Sequence, residues 1–294
     1  MSILIDKNIK VIVQGITGKE GKFHTEQMIN YGTNIVGGVT PGKGGGSIMN
    51  KPIFNSVEDA VKNTNGDVSV IFVPSNFASD AIIESIFSKI RIIVCITEGI
   101  PVLDMVYIKQ FLKGKKCYLI GPNCPGIISP GKSKVGIMPN SIFRKQGNIG
   151  IISRSGTLTY EAANQIIQKG YGISTAIGIG GDSIVGISIK ETLDLFLKDS
   201  ETECIVLIGE IGGQLEIEAI NYMRSKNNVK PIIGFIAGKT APKGRTMGHA
   251  GAIIEKQIET AQSKIDIMRK NGAYMVDSPE GIGVMVDKIL HDSL

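Results

Sequence analysis

Short apolar runs that alternate with helix-like stretches constrain the fold of this chain more than any other feature of its sequence. In the first half, runs rich in Ile and Val lie at 10–13, 34–39, 68–73, 91–97 and 116–120, and helix-like stretches lie at 21–31, 57–62 and 78–88. Strands this short and apolar on both faces are typical of a parallel sheet that is covered on both sides. The order strand, helix, strand therefore predicts a doubly wound α/β domain.

The same alternation restarts after a stretch dense in Gly and Pro at 121–131, which we interpret as a linker or an irregular active-site loop. Strand-like runs follow at 148–153, 174–179, 204–208, 231–237 and 273–276, with helix-like stretches such as 160–169 and 215–225 between them. A chain of 294 residues is long enough for two such domains. We predict an N-terminal domain over residues 1–125 and a C-terminal domain over residues 126–294.

The composition favours a ligand that is held by the protein backbone. The chain has 37 Gly, no Trp and 5% aromatic residues, so it offers many points of close backbone approach and few rings on which a base could stack. The formal net charge of +5 comes from charges that are scattered along the chain, without a basic tail or stripe. This balance favours a phosphate-bearing small molecule over a nucleic acid.

The cysteines and the apolar runs indicate the cellular compartment in which the protein works. The four Cys, at 95, 117, 124 and 204, form neither a C-x-x-C pair nor the spacing of a Cys/His metal site, which indicates buried reduced thiols and no metal site. No apolar run approaches the roughly 18 residues of a membrane span, and the first residues lack the architecture of a signal peptide. We therefore expect a soluble cytoplasmic protein without a membrane partner.

Glycines follow the first strand-like run at a spacing that suits a phosphate. Gly15, Gly18 and Gly21 precede an amphipathic stretch, so a phosphate could approach the backbone at a helix N-terminus. The pattern is G-x-x-G-x-x-G rather than G-x-G-x-x-G, and a glycine-rich turn can also serve packing alone.

The end of the second strand-like run distinguishes between nucleotide ligands. A site for a nicotinamide dinucleotide would have Asp or Glu there, about 20 residues after the glycines, whereas this chain has Lys43 within a run of glycines. A lone cation favours an extra phosphate, as in coenzyme A (CoA) or a 2′-phosphorylated nicotinamide cofactor, unless Lys43 is simply a solvated loop residue. The segment 96–99 ends another strand-like run and lies at the edge where open α/β sheets bind ligands.

Ser155, Gly156 and Thr157 begin a helix-like stretch directly after a strand-like run. Hydroxyls and free N–H groups at a helix start can bind an anion, although the same residues could form a plain N-cap. They do not form a nucleophile elbow, because Ser155 has Ser153 and Thr157 where G-x-S-x-G has glycines.

His249 is the strongest candidate for a catalytic residue, whereas His24 and His291 are explained by packing and by surface exposure. Small residues flank His249 and let bulky groups approach the imidazole, and an ordinary pKa near 6.5 leaves its neutral, nucleophilic form abundant. A nucleophilic His needs a group that fixes its tautomer. Glu210, at the end of a strand-like run, is the best candidate for that group. The alternatives for His249 are a hydrogen-bonded loop histidine and a metal ligand that lacks its partners, and the alternative for Glu210 is an ordinary strand-end carboxylate.

Five motifs in order make the chain similar to the α subunits of succinate–CoA ligase, also called succinyl-CoA synthetase. They are T-P-G-K-G-G at 40–45, I-T-E-G-I-P at 96–101, G-P-N-C-P-G at 121–126, S-R-S-G-T-L-T-Y-E-A at 153–162 and G-H-A-G-A at 248–252. The likeness runs over nearly the whole chain and implies a Rossmann-like CoA-binding domain followed by a flavodoxin-like ligase domain with a parallel sheet. The segment 255–260 departs from the family, which usually has glycines there.

The resemblance also implies roles for individual residues. His249 would be the catalytic histidine that is phosphorylated, and Glu210 its partner carboxylate. Tyr160 would contact the substrate, and the helix start at 155–157 would bind the phosphate. The implied CoA contacts are Thr17, Gly18, Lys19, Glu20, Lys43, Ile96, Thr97 and Glu98.

The implied activity is the reversible conversion of succinate, CoA and ATP or GTP to succinyl-CoA in the tricarboxylic acid cycle, through a phosphohistidine and an acyl phosphate. The resemblance implies a hetero-oligomer, αβ or α₂β₂, whose β subunit binds the nucleotide and Mg²⁺. Three alternatives remain open at this point: a related ligase acting on malate, an NADP-dependent oxidoreductase, and a CoA-binding subunit without catalysis.

Overall fold

The computed structural model describes residues 2–226 and 230–291, and within these residues the chain folds around two seven-stranded sheets. The first sheet and its helices comprise β1 (Val11–Gln14), α1 (Lys19–Asn30), β2 (Ile35–Val39), β3 (Ser47–Ile48), β4 (Lys51–Phe54), α2 (Val57–Thr64), β5 (Val68–Ile71), α3 (Ser75–Phe87), β6 (Ile92–Cys95), α4 (Val102–Leu112) and β7 (Tyr118–Ile120). The second comprise β8 (Gly126–Ser129), β9 (Ser133–Gly136), β10 (Gln146–Ser153), α5 (Gly156–Gln168), β11 (Ile173–Gly178), α6 (Ile189–Lys198), β12 (Cys204–Glu210), α7 (Leu215–Arg224), β13 (Ile232–Ala237), α8 (Ala261–Lys270), β14 (Tyr274–Met275) and α9 (Gly281–His291).

Both sheets are mainly parallel. The strand order is β3-β4-β2-β1-β5-β6-β7 in the first and β14-β13-β12-β10-β11-β8-β9 in the second. The pair β3–β4 and the pairs that β8 makes with β9 and β11 are antiparallel. The chain order reverses at β1 and at β10, so each sheet has a switch point at which ligands of open α/β sheets bind.

The predicted α/β class and the predicted alternation are confirmed. Each strand-like run became a strand whose ends lie within a few residues of the predicted ones, because strands such as β1, β5, β6 and β12 are buried along their whole length. Burial on both faces requires apolar residues at consecutive positions, which is the pattern that the sequence shows. Strands β3, β4, β8 and β9 and helices α4, α6, α8 and α9 were not among the predicted elements. Within the described residues, no helix combines the length and the apolar character that a membrane span requires.

The stretch at 121–131, predicted as a linker or an irregular loop, is partly a strand. The hairpin of β8 and β9 pairs with β11 at the edge of the second sheet, and it packs on α1 of the first. Thr33 Oγ1 donates to the carbonyl oxygen of Lys134 across 2.7 Å, and Asn140 Nδ2 donates to that of Gln27 across 2.9 Å. The Lys134 side chain is 1% exposed, and burial lowers its pKa to about 8. The hairpin thus joins the two sheets at the C-terminal end of α1.

Candidate active site

A cavity of about 730 Å³ opens at the carboxyl edge of the first sheet, where the chain leaves β1, β2 and β5. Gly15 and Gly18 line it on the turn that leads into α1. A Cβ on Gly21 would lie 2.1 Å from the carbonyl oxygen of Gly15, so only glycine lets α1 pack this closely on the turn. The helix N-terminus, which favours anions, is thereby held at the rim of the cavity. Lys19 and Glu20, two predicted CoA contacts, are exposed on this first turn and do not line the cavity.

Thr17, Thr40 and Lys43 place polar groups at the same rim. Thr17 Oγ1 donates to Thr40 Oγ1 across 3.2 Å, and Lys43 Nζ donates to Thr17 Oγ1 across 3.5 Å. The loop of Lys43 is fixed by Asn55, whose Oδ1 accepts from two backbone N–H groups of that loop, each at 2.9 Å. A cation and two hydroxyls beside a helix N-terminus suit a ligand that carries more than one phosphate.

The segment 96–98 follows β6 and runs past this cavity. Ile96 packs against the core, and Thr97 Oγ1 donates across 2.7 Å to the carbonyl oxygen of Val73, a residue that lines the cavity. Glu98, the next residue, is exposed and lines a second cavity. The segment therefore connects the two cavities.

The second cavity has a volume of about 100 Å³ and lies between the segment after β6 and the loop after β11. Glu98 and Gly99 line one side, Asp182 and Ser183 line the other, and Ala250 adjoins both. Its volume corresponds to about three water molecules, which is room for the end of a chain and too little for a ring system with substituents. Because Ala250 follows His249 in sequence, this cavity is lined both by the segment after β6 of the first sheet and by the histidine loop.

His249 and Glu210 form a hydrogen-bonded pair at the carboxyl edge of the second sheet. The distance from His249 Nδ1 to Glu210 Oε2 is 2.8 Å. Glu210 ends β12 and is buried, whereas the His249 side chain is 28% exposed. A carboxylate at Nδ1 favours the tautomer that carries its proton there, which leaves the nucleophilic lone pair on Nε2. The same hydrogen bond raises the pKa of His249 above its ordinary value, against the smaller opposing effect of burial.

Two buried cations hold Glu210 in place. Arg154 Nη2 lies 3.1 Å from Glu210 Oε1, and Arg154 Nη1 lies 3.5 Å from Glu216 Oε1. Lys264 Nζ lies 2.6 Å from Glu216 Oε2 and donates to the carbonyl oxygen of Glu210 across 2.8 Å. Burial raises the pKa of Glu216, but Lys264 and Arg154 outweigh burial and hold that pKa below its ordinary value. Because a buried charge is costly unless it is paired, this alternating set of charges fixes the position of Glu210.

Helix α5 begins at the same edge, directly after β10. Ser155 is its N-cap, and Ser155 Oγ accepts from a backbone N–H of the first turn across 3.4 Å. Gly156 and Thr157 belong to that turn, whose N–H groups have few partners within the helix and can bind an anion. Tyr160, one turn further, is half-buried against Phe143 with 6.3 Å between ring centroids, and burial raises its pKa to about 12. The N-cap uses only the Ser155 hydroxyl, so this helix start can form an N-cap and bind an anion at the same time.

The loop of His249 rests on a glycine turn that follows β11. The N–H of Gly251 donates to the carbonyl oxygen of Gly181 across 2.9 Å. A Cβ on Gly181 would lie 2.2 Å from Cγ of His249, so the imidazole packs directly on this backbone. The absence of a side chain at 181 is what leaves room for the ring.

The segment 255–260, where the sequence departs from the family, is fixed by Glu259. Its Oε2 accepts from the N–H of Glu255 across 2.8 Å and from that of Lys256 across 3.0 Å, and residues Gln257–Glu259 form a 3₁₀ turn. The carbonyl oxygen of Glu259 accepts from the N–H of Gly212, beside β12. The histidine loop is therefore anchored at its C-terminal end.

Arg154, Glu216, Lys264 and Asp182 were not predicted as functional residues. They are scattered over more than a hundred positions and meet only in the fold. Arg154 lies inside a motif quoted above. Lys264 shares one face of α8 with Ile265 and Met268, and a lysine on the apolar face of a helix is a signal that could have identified it.

Two family models match the chain. The model of the CoA binding domain matches residues 6–99, and the model of the CoA-ligase matches residues 152–274. The first match contains the turn after β1 and the loop of Lys43. The second contains Arg154, Glu210 and His249.

Solved structures of two ATP citrate lyases are similar to this chain. One is a mutant of the Methanosaeta concilii enzyme in complex with (3S)-citryl-CoA, at a TM-score of 0.90 and 26% identity, and the likeness covers 99% of this chain and 51% of that one. The other is the Methanothrix soehngenii enzyme in complex with citrate and coenzyme A, at a TM-score of 0.89 and 26% identity over 99% and 52% of the two chains. This chain spans about half the length of these two solved chains.

Relatives in sequence match over almost their whole length. The succinate–CoA ligase [ADP-forming] subunit alpha of Aquifex aeolicus is 53% identical over 99% of this chain and 95% of the relative. The subunit alpha 2 of Archaeoglobus fulgidus is 52% identical over 99% and 100%. The subunit alpha of Staphylococcus epidermidis is 52% identical over 96% and 93%. This extent of identity, together with the two family models, shows that the chain belongs to the family of succinate–CoA ligase α subunits.

Proposed function

We propose that this chain is the α subunit of an ADP-forming succinate–CoA ligase, which converts succinate, CoA and ATP reversibly to succinyl-CoA, ADP and phosphate. The observation that carries the proposal is the contact of His249 Nδ1 with Glu210 Oε2 across 2.8 Å, at the sheet edge where α5 begins. An oriented, partly exposed histidine beside a helix N-terminus is suited to accept a phosphoryl group and to stabilise it. The related α subunits belong to ADP-forming ligases, which favours ATP over GTP as the donor.

In this proposal His249 Nε2 attacks the terminal phosphorus of ATP, and the bond from that phosphorus to the bridging oxygen breaks as ADP departs with the electron pair. Glu210 holds the Nδ1 proton and stabilises the positive charge that develops on the ring. The N–H groups at 155–157 bind the phosphoryl oxygens, since the positive end of the dipole of α5 favours an anion there. Succinate then accepts the phosphoryl group as an acyl phosphate, and the thiol of CoA displaces phosphate from it.

The larger cavity is proposed to bind the phosphate-bearing part of CoA. Thr17, Gly18 and Lys43 are supported by their place at its rim, and Lys19 and Glu20 by their place on the first turn of α1. Ile96, Thr97 and Glu98 would guide the thiol-bearing arm towards the smaller cavity. We assign these contacts to a CoA-binding domain over residues 1–125 and the phosphorylated histidine to a ligase domain over residues 126–294.

A β subunit is the proposed partner, in an αβ or α₂β₂ assembly. It would bind the nucleotide with Mg²⁺ and supply most of the pocket for the carboxylate, to which Tyr160 would add a contact. The low aromatic content of this chain, 5%, agrees with a nucleotide base that is bound elsewhere.

The test combines the chain with its β subunit, Mg²⁺ and ATP labelled in the terminal phosphate. We expect acid-labile, base-stable label on the wild-type chain, its release by succinate with CoA, and no label on His249→Asn. Malate and citrate in place of succinate would show whether another carboxylate is preferred. A wild-type chain that takes up no label, or a labelled His249→Asn chain, would contradict the proposal.

A further inference from the structure

Asp182 faces the small cavity from the loop after β11. The residue is 7% exposed, and its Oδ1 accepts a hydrogen bond from Asn123 Nδ2 across 3.0 Å. Asn123 also donates its backbone N–H to the carbonyl oxygen of Thr97 across 2.9 Å and accepts from the N–H of Gly181 across 3.1 Å. One residue thus fixes the segment after β6 on one side of the cavity and orients the carboxylate on the other. No donor in residues 2–226 and 230–291 is bonded to Oδ2 of Asp182.

The position of the cavity indicates what reaches Asp182. The cation, the hydroxyls and the helix N-terminus that suit phosphates lie at the rim of the larger cavity, where Lys43 reaches the lining residue Thr17. Thr97 bonds to its wall at Val73, and Glu98, the next residue, lines the smaller cavity. Ala250, in the wall of the smaller cavity, is the neighbour of His249. A long flexible ligand with phosphates at one end would therefore place its other end between Asp182 and the histidine loop.

Burial raises the pKa of Asp182, and the nearby charge of Glu98 raises it further, whereas the Asn123 hydrogen bond and His249 lower it. The net pKa lies above the ordinary value. Of the other ionisable groups near this cavity, Glu98 is exposed to solvent and His249 is hydrogen-bonded to Glu210.

The thiols of Cys95 and Cys124 also lie near enough to Asp182 for its charge to affect their pKa values. Burial raises the pKa of Cys95 to about 12 and raises that of Cys124 as well. Both therefore stay protonated near neutral pH and do not accept a proton. Asp182 is the buried carboxylate at this cavity that is suited to that task.

We propose that Asp182 accepts the proton of the CoA thiol in the step that forms the thioester. The proposal rests on the proposed function and assigns a further catalytic residue to it. The sulfur lone pair forms the S–C bond to the acyl carbon of the acyl phosphate while the S–H proton passes to Oδ2 of Asp182. The C–O bond to phosphate breaks with its electron pair, and the departing phosphate takes up one proton when Asp182 returns to its carboxylate. In the reverse direction the protonated Asp182 returns the proton to the thiolate.

The test separates two half-reactions of the assembled complex with Asp182→Asn, and with Asp59→Asn as a matched change on the exposed face of α2. The first half-reaction is labelling of His249 by ATP. The second is release of the label by succinate, either with CoA or with hydroxylamine, which traps the acyl phosphate without a thiol. We expect labelling by ATP and release to hydroxylamine to stay within about twofold of wild type. We expect CoA-dependent formation of thioester to fall by about 100-fold or more, the range for loss of a general base.

Wild-type rates of thioester formation in Asp182→Asn would overturn the proposal. An equal fall in labelling and thioester formation would also overturn it, because Asp182 would then support the histidine loop. A fall that is matched by an equal loss of CoA affinity of the isolated chain would overturn it in favour of a binding role. A wild-type complex that takes up no label would instead contradict the proposed function itself.

A second variant keeps the proposal testable if Asp182→Asn does not fold. Asn123→Ala removes the hydrogen bond that lowers the pKa of Asp182. Thioester formation should rise with pH as Asp182 ionises, so the rising limb of the profile in Asn123→Ala should lie at higher pH than in wild type. A rising limb at an unchanged pH would overturn the assignment.

Discussion

Glu210 Oε2 and His249 Nδ1 lie 2.8 Å apart although 39 positions separate the two residues in sequence. The carboxylate ends a buried strand, and the imidazole comes from a loop that returns across the same sheet edge. The buried carboxylate of Glu210 therefore orients an imidazole that is accessible to solvent. Each of the following predictions tests one part of that arrangement or of the proposed CoA site.

Glu210→Gln should lower the pKa of His249 and slow its phosphorylation by about 100-fold or more, as when a triad loses the carboxylate that fixes its histidine. Because Glu210 raises the folded-state pKa of His249, the stabilisation from this pair is fully present below the unfolded value near 6.5 and is lost as pH rises through the folded value. Wild type should therefore exceed the variant in stability by more at about pH 5.5 than at about pH 8.5. Titration of the His249 ring by ¹⁵N NMR and unfolding at both pH values would check this. An unchanged pKa would contradict it.

Lys264→Met should destabilise the chain by about 3–5 kcal/mol, because Glu216 would keep a buried charge after losing its closest cation. The Lys264 and Glu216 side chains are both 0% exposed, and their charged atoms are 2.6 Å apart. The double variant Lys264→Met with Glu216→Leu should cost less than the sum of the two single changes. Denaturant unfolding measures all three free energies. Additive effects would show that the two charges do not depend on each other.

Gly181→Ala should reduce labelling of His249 while leaving the fold intact. The added Cβ would have to occupy space 2.2 Å from Cγ of His249, so the ring must leave its place beside Glu210. Gly281→Ala, at the start of α9, is the control, because the closest approach there is 3.3 Å, to the side chain of Val276. Phosphate labelling and circular dichroism would distinguish displacement of the ring from unfolding. Equal labelling of both variants would contradict the packing argument.

Lys43→Met should weaken CoA binding about tenfold, the loss expected for one charge-assisted hydrogen bond. If the lysine contacts the 3′-phosphate, dephospho-CoA should bind the variant and wild type equally well. Lys62→Met, on the exposed face of α2, is the control. Calorimetry at two salt concentrations measures the affinities, and the wild-type advantage should shrink at high salt. An advantage that persists with dephospho-CoA would place Lys43 elsewhere on the ligand.

The sequence alone was sufficient for the parts of the fold that are buried on two sides. The run 204–208 is apolar throughout and the run 68–73 is apolar except at Ser69, because both of their faces are covered. Strand β9 and helix α4 have mixed patterns, since β9 is a short edge strand and α4 exposes Leu103, Tyr107 and Phe111. Local patterns do not record partners that come from distant segments, so these elements were missed.

For the site, the sequence indicates candidates where they are concentrated in one short motif, and their roles stay predictions. His249 and the helix start at 155–157 are examples, and the pairing with Glu210 was expected from its place at a strand end. The network around Glu210 was not expected, because Arg154, Glu216 and Lys264 become neighbours only through the order of β10, β12 and the helices that follow. The charges of this buried network are balanced by residues that only the fold brings together, so no sequence spacing predicts it.

The contact between the β8–β9 hairpin and α1 makes the two halves of the chain depend on each other. Thr33 and Lys134 exchange two hydrogen bonds, at 2.7 and 3.0 Å, between residues about a hundred positions apart. A fragment cut at residue 125 would keep every proposed CoA contact and yet expose the buried end of the helix that carries part of that site. The boundary that divides the sequence into two patterns therefore does not divide the molecule into two independent parts, and substitutions in the hairpin should alter the affinity for a ligand bound at the opposite end of α1.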